Sequence, residues 1–298
     1  MSEPTYQVEP HPDFGFGQVS PTPSREDITR FYAEEFYSGE YQRFNNSGLE
    51  VQLEDQVFLD GHREDILHGI EETLGGPVEG KTVLDIGCGW AQNLRYLQGR
   101  GMKCSGFDPA PEAVAHGRKQ GMRIEEAGMD DMAVFAGERF DVVTLFHVLE
   151  HLGDPVAALT EIHDDVIVPG GALVIEVPND FSALQQAAVD LHGLDEWWVA
   201  PPGHLNYFDV GTLCALLEGT GFEPVVREST FPLELFLLMG EDYVSEPARG
   251  RACHQKRVAF ETNLRAVGRA DTLRRLYRTL AEAGIGRTIV VHARAVGS

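Results

Sequence analysis

Val83-Leu84-Asp85-Ile86-Gly87-Cys88-Gly89-Trp90 is the stretch on which the fold turns. An apolar run that passes through an acid into two glycines one residue apart reads as a buried strand entering a tight turn, with a helix after it. Glycines at 87 and 89 permit backbone angles and a close approach to a ligand that side chains would block. Twenty-three positions beyond Asp85, a second apolar run closes with Phe107-Asp108. A carboxylate there can accept both hydroxyl protons of a ribose, so the pairing suggests a nucleoside ligand. The plainer alternative is a structural glycine turn in an ordinary α/β protein.

Outward from this turn, short apolar runs alternate with helical periodicity. Strands are expected at 82–86, 103–107, 123–126, 140–146 and 171–177, with helices at 91–100, 111–120 and 155–166 between them. Such alternation specifies right-handed crossovers in an open, doubly wound α/β sheet, a Rossmann-like arrangement with helices on both faces. Two later strands are expected at 223–230 and 287–294, after a helix at 209–219. The chain then divides into an irregular, proline-rich arm (1–24), an N-terminal helical cap (25–75), a core (76–230) with an insertion at 180–208, a helical insertion (231–286) and a final core strand with the C-terminus (287–298). The cap shows Ile28, Phe31, Tyr32 and Phe36 at helical spacing.

The dinucleotide-binding fold is the nearest competitor, but its fingerprint wants a third glycine or alanine where Gln92 stands. Asp85 inside the turn would also repel a pyrophosphate, while a cationic sulfonium and an ammonium group would be attracted. Asp-Ile-Gly-Cys-Gly, the acid Asp108, and Phe140-Asp141-Val142-Val143 followed by His147-Val148-Leu149-Glu150-His151 together resemble class I S-adenosylmethionine-dependent methyltransferases of the ubiquinone-biosynthesis type, over about residues 80 to 230. The resemblance implies a seven-stranded sheet whose last strand is antiparallel and inserted next to the edge, and S-adenosyl-L-methionine as cofactor. It places Asp85, Gly87, Cys88 and Gly89 at the methionine part of the cofactor, Asp108 at the ribose, Met129 and Asp130 at the adenine, and Phe146 and His147 along the loop lining cofactor and acceptor. Many relatives carry an Asp where Gly128 falls here, and in relatives the two late strands form a close hairpin.

His147-Val148-Leu149-Glu150-His151 also matches the inverted zinc-protease pattern, but it follows a buried strand and precedes Gly153-Asp154-Pro155, which interrupts any long helix. Three roles remain. A neutral imidazole can take a proton from an acceptor hydroxyl, with His151 the leading base. Some relatives bind a divalent metal through E-x-x-E-H plus a later histidine, which would make His147, Glu150, His151 and His204 the ligands, although His147 replaces the first Glu. The third role is structural, with Glu150 capping the next turn and His151 bonded to backbone. A second histidine segment, Gly203-His204-Leu205-Asn206-Tyr207-Phe208, resembles one that lies over the acceptor pocket in relatives, so His204 or Tyr207 is expected to orient or deprotonate the acceptor, or Tyr207 and Phe208 only to anchor the loop. Trp197 and Trp198 either line an aromatic substrate pocket or divide into one core and one surface residue.

Composition narrows the partners. The 298 residues carry a formal charge of −23, a field that repels phosphate backbones, so nucleic acid is excluded and a small-molecule acceptor is expected. Four cysteines without C-x-x-C spacing suggest neither a zinc ribbon nor a disulfide scaffold, and no signal peptide or long apolar run is seen, so a cytoplasmic, non-membrane protein is expected. The apolar run at 233–239 would cover the substrate or form a homodimer contact, and the arginines from Arg265 to Arg278 would form a solvated amphipathic face. The expected reaction is O-methylation of a hydroxyl in a natural-product or sugar pathway. C- or N-methylation, a non-catalytic S-adenosylmethionine-binding scaffold and a nicotinamide oxidoreductase are the rivals.

Overall fold

The computed structural model describes residues 6–24 and 48–297. The expected helical spacing of Ile28, Phe31, Tyr32 and Phe36 lies outside the described residues. In chain order the elements are β1 (Gln7–Pro10), β2 (Gly17–Ser20), α1 (Leu49–Glu54), α2 (Gln56–Leu74), β3 (Thr82–Ile86), α3 (Gln92–Gln98), β4 (Lys103–Asp108), α4 (Pro111–Lys119), β5 (Arg123–Glu126) and β6 (Phe140–Phe146). They continue with α5 (Pro155–Glu161), β7 (Ile167–Pro178), α6 (Ala183–His192), β8 (Asn206–Tyr207), α7 (Val210–Gly219), β9 (Phe222–Ser229), α8 (Glu234–Leu238), α9 (Pro247–Ala266), α10 (Ala270–Glu282) and β10 (Thr288–Ala295).

The main sheet has seven strands in the order β5-β4-β3-β6-β7-β10-β9. Strand β10 runs antiparallel to both its neighbours, and the pairs β4–β5, β3–β4, β3–β6 and β6–β7 are parallel. This is the expected α/β Rossmann-like sheet, with the late antiparallel strand inserted beside the edge. Its central strands bury both faces because their sequences are mostly apolar, with Asp85, Thr144 and Glu176 as buried polar exceptions, and alternate residues feed two separate cores. Leu84, Ile86, Val143, Leu145, Leu173 and Ile175 pack with Leu159 of α5 and Leu213 and Leu217 of α7. Val83, Val142, Val174 and Val290 pack on the opposite face with Ile66 and Ile70 of α2, Leu94 of α3 and Val114 of α4. Each large aliphatic side chain so buried contributes about 1.5–3 kcal/mol.

Helix α2 lies close against the sheet because position 69 is glycine. A Cβ there would sit 2.3 Å from the His292 imidazole of β10. His292 is fully buried, and neither ring nitrogen has a hydrogen-bond partner among the described residues. Burial, reinforced by the positive Arg278 and His62, pushes its pKa down to about 3, so the ring is a neutral packing group.

Three expectations change. The arm at 1–24 is not irregular over 7–20: β1 and β2 form an antiparallel hairpin that β8 joins through Gly17–Tyr207 and Gln18–Asn206. The 180–208 insertion contains α6, closed by a reciprocal Ser182–Gln185 capping box. The arginines from 265 to 278 are only partly solvated: Arg269 and Arg275 are exposed, but Arg265 and Arg274 both meet the buried carboxylate of Asp65 on α2, the latter at 3.0 Å, and Arg278 bridges Glu72 and Glu228 at 2.8 Å each. The 231–286 insertion is helical as expected and is clamped onto the sheet's α2 side.

Candidate active site

The turn after β3 opens at the carboxyl ends of the parallel strands, where open α/β sheets place their ligands. Gly87 has φ +67°, and a Cβ there would lie 2.6 Å from Val148 Cγ2, so a side chain is excluded both by backbone angle and by space. Gly87 and Cys88 both donate their N–H to Phe107 O, at 2.9 and 3.1 Å, which ties this turn to the end of β4. A Cβ at Gly89 would meet nothing within 4 Å. Asp85 is 1% exposed; its Oδ1 accepts from Thr144 Oγ1 at 2.6 Å, while Oδ2 has no partner among the described residues. Burial raises its pKa to about 7, with Thr144 opposing and Asp108 adding to the rise.

Asp108 accepts from Gly89 N–H and Ala110 N–H at 2.8 Å each, so the acid closing β4 shapes the glycine turn itself. Met129 packs over the turn, its Sδ 3.6 Å from where a Gly87 Cβ would be. Asp130 is exposed and folds back toward Gly128. Phe146 is half-buried at the end of β6. Cys88 is buried, and burial pushes its thiol up, so it is a wall residue and not a nucleophile.

The second half of the site lies beyond β6 and β7. His147 takes φ +55° and donates its backbone N–H to Glu176 O at 2.8 Å. Its ring lies between Glu150 (3.3 Å) and Glu176 (3.7 Å). The ring is half-exposed, and although desolvation opposes its charge, the two neighbouring carboxylates outweigh this and push its pKa up to about 10. Glu150 is 1% exposed, and burial is outweighed by His151 and His147, which hold it below the usual carboxylate range. It does not cap the next helix; Asp154 does, accepting from Ala157 N–H at 2.9 Å.

His151 is buried, with Nδ1 bonded to Gly203 O at 2.6 Å, and because a carbonyl only accepts, Nδ1 is a hydrogen-bearing nitrogen of the ring. Its ring meets that of His204 edge-on, centroids 5.0 Å apart. His204 Nδ1 is buried without a partner among the described residues, and burial together with His151 pushes its pKa down to about 4. Ligand atoms of Glu150, His151 and His204 lie within 4.8 Å of one another, close enough to hold a metal ion; His147 stands beside this trio. Asn206 locks the arrangement: its Nδ2 donates to Leu149 O (3.3 Å) and Leu152 O (2.7 Å), and its Oδ1 accepts from Gln18 Nε2 (3.2 Å) of the N-terminal hairpin. The Tyr207 hydroxyl donates to His204 O and accepts from Ala200 N–H, both at 3.1 Å, so it serves the loop. Trp198 is buried and Trp197 half-buried, their rings perpendicular.

Four site residues escaped the sequence reading. Glu176 of β7 accepts from His62 (2.9 Å) and Thr288 (3.1 Å), and Asp180, Glu234 and Arg287 lie beyond it, with Arg287 paired to Glu234 at 3.1 Å. A lone charge inside an apolar run marks Glu176 and Glu234 and was the available signal.

A methyltransferase-domain family profile matches residues 59–227, more than half of the chain. The chain is 31% identical over 182 residues to a ubiquinone biosynthesis O-methyltransferase of Cereibacter sphaeroides, covering 57% of this chain and 72% of that one. It is 34% identical over 161 residues to the corresponding enzyme of Dinoroseobacter shibae, covering 51% and 64%. Among solved structures, the plantazolicin methyltransferase BamL, in complex with a triazolic desmethylPZN analogue and SAH, superposes with a TM-score of 0.55 at 15% identity, covering 92% of this chain and 98% of that one. The profile and the sequence relatives establish that the chain belongs to the class I S-adenosylmethionine-dependent methyltransferases.

Proposed function

We propose that the protein transfers a methyl group to a hydroxyl of a small-molecule acceptor. When bound, S-adenosylmethionine supplies a methyl carbon activated by the neighbouring positive sulfur. The observation that carries the reading is Asp85: a buried carboxylate with one oxygen left without a partner among the described residues, under a glycine turn that admits a ligand. Such a group is costly unless a cation or donor completes it. Asp85, Gly87, Cys88 and Gly89 hold the charged end of the cofactor, Asp108 its ribose, and Met129, Asp130 and Phe146 its base.

On the acceptor side, His147, its pKa pushed up to about 10 by Glu150 and Glu176, is poorly suited to act as base. His204, neutral across the physiological range, and His151, oriented through Gly203, remain as proton acceptors for the hydroxyl. The chain otherwise contributes alignment of the reacting atoms, for which about 7–11 kcal/mol is available. A charge of −23 favours a neutral or cationic small acceptor over nucleic acid. Calorimetry with S-adenosylhomocysteine tests the cofactor half: Asp108→Ala should weaken binding about 10- to 100-fold, the equivalent of one or two charge-assisted hydrogen bonds. Unchanged affinity, or binding of NADH in its place, would remove the assignment.

The proximity of Glu150, His151 and His204 favours a second reading, in which a divalent metal bound by the trio lowers the acceptor hydroxyl's pKa. Turnover that survives thorough chelation would exclude it.

A further inference from the structure

We propose that the acceptor carries a protonated amine, received by Asp180 in an aromatic cavity beneath the N-terminal three-stranded sheet. The inference rests on the reading of loop 201–208 as the acceptor side of the site. The cavity has a volume of about 610 Å³ and lies between the β1–β2 hairpin and the residues that follow β7. That is the size range of small-ligand pockets. Its walls combine the rings of Phe16, Phe181 and Tyr207 with the carboxylates of Asp180, Glu196 and Asp209, and among the described residues no Lys, Arg or His lines it. Aromatic faces with acids and no bases select for an organic cation.

Asp180 gives the selection a focus. It is 5% exposed, and its Oδ2 has no hydrogen-bond partner among the described residues. Burial raises its pKa to about 7, with Arg287 and a hydrogen bond from Gln185 opposing and Glu150 and Glu234 adding to the rise. Arg287 itself is held by Glu234 at 3.1 Å. An incoming ammonium supplies the missing donor and the missing charge together. A hydroxyl would supply only the donor, and a carboxylate would meet Asp180 and the three other acids of the wall, Glu9, Glu196 and Asp209.

The neighbouring residue points the same way. Phe181 sits at φ +56°, a conformation an aromatic residue adopts rarely, and its 40% exposed ring stands edge-on to Trp198 and Tyr207 at 5.5 and 5.9 Å. Surrounding contacts must hold such a residue in place, and they hold a ring at the cavity wall directly after the buried acid. The loop that ends at Phe208 connects the cavity wall to the histidine region. Asp180 N–H donates to Phe208 O at 3.0 Å, and three residues earlier Leu205 N–H donates to Glu150 O at 2.8 Å. One loop thus backs both the amine site and the proton-accepting site.

The test uses the full chain and three probes of one shape: phenethylamine, 2-phenylethanol and 3-phenylpropanoate, titrated calorimetrically or by ligand-observed NMR. Phenethylamine should bind at least about tenfold more tightly than the alcohol, and the carboxylate most weakly. Asp180→Asn should abolish the amine preference while S-adenosylhomocysteine still binds as in the wild type, which also shows that the variant is folded. Phe181→Ala should weaken the amine without affecting the cofactor product. Equal affinities for the three probes, no detectable amine binding, or a preference that survives Asp180→Asn would overturn the proposal. Loss of S-adenosylhomocysteine binding in the wild type would count instead against the methyltransferase reading, so the two failures are separable.

Discussion

The two halves of the site are built in opposite ways. The proposed cofactor half is local: Asp85, Gly87, Cys88 and Gly89 fall within five consecutive residues, and Asp108 closes the adjacent strand of the same sheet. The acceptor half is assembled across the whole chain, from His62 on α2, Glu176 on β7, His204 in a loop, Glu234 in the late insertion and Gln18 in the N-terminal hairpin. A turn that must fit one cofactor is set by a few backbone angles. A pocket that must fit a particular acceptor is set by long-range contacts, each of which can change without disturbing the turn.

Substitutions that separate the halves test this contrast. The largest effect is expected at the histidines: His151→Ala or His204→Ala should lower kcat by about 10²- to 10⁴-fold, the usual range for a general base, with S-adenosylhomocysteine affinity unchanged. If both variants keep near-normal turnover, neither is the base; if either loses cofactor binding, the halves are not independent. Next in size is a change that touches neither half. Gly69→Ala should cost about 1–3 kcal/mol in urea denaturation, the range for overpacking, since the added methyl meets the enclosed His292 ring. A neutral outcome would show that α2 can shift off the sheet.

The smallest effect per unit is on pH. His292 and His204 have folded pKa values near 3 and 4, below the 6.5 of the unfolded chain, so their neutral burial favours folding fully above pH 6.5 and is progressively lost as pH falls toward those values. The limiting slope is about 1.4 kcal/mol per pH unit for each group. His147 works the other way: raised to about 10, its contribution is complete below 6.5 and lost as pH rises through 10. Chemical denaturation at pH 5 and pH 7 should therefore show a shallower acid decline in His292→Leu than in wild type. An unchanged slope would mean that other groups govern acid unfolding.

The same contrast explains what could be read from sequence. The strand order, the inserted antiparallel strand and the glycine turn follow from contiguous patterns and from the resemblance they support. Residues 7–20 do not read as strands because each run is four residues long, the first ends in Pro10, and the second pairs with residues 206 and 207 far along the chain. Arg265 and Arg274 read as solvated because their partner, Asp65, is some two hundred residues away. Glu176 and Asp180 carry no motif; only the sheet brings them to His147 and the cavity. The cap at Ser182–Gln185, in contrast, was present as a local signature and passed over.

Asn206 connects the amino-terminal hairpin to the loops of both histidines through one buried amide. On the proposed reading, that single side chain would make residues 7–20 a selectivity module. Hairpins exchanged between related proteins should redirect which acceptors are accepted while leaving donor recognition as it was, so diversification of this scaffold can proceed from a region that contains none of the reacting groups.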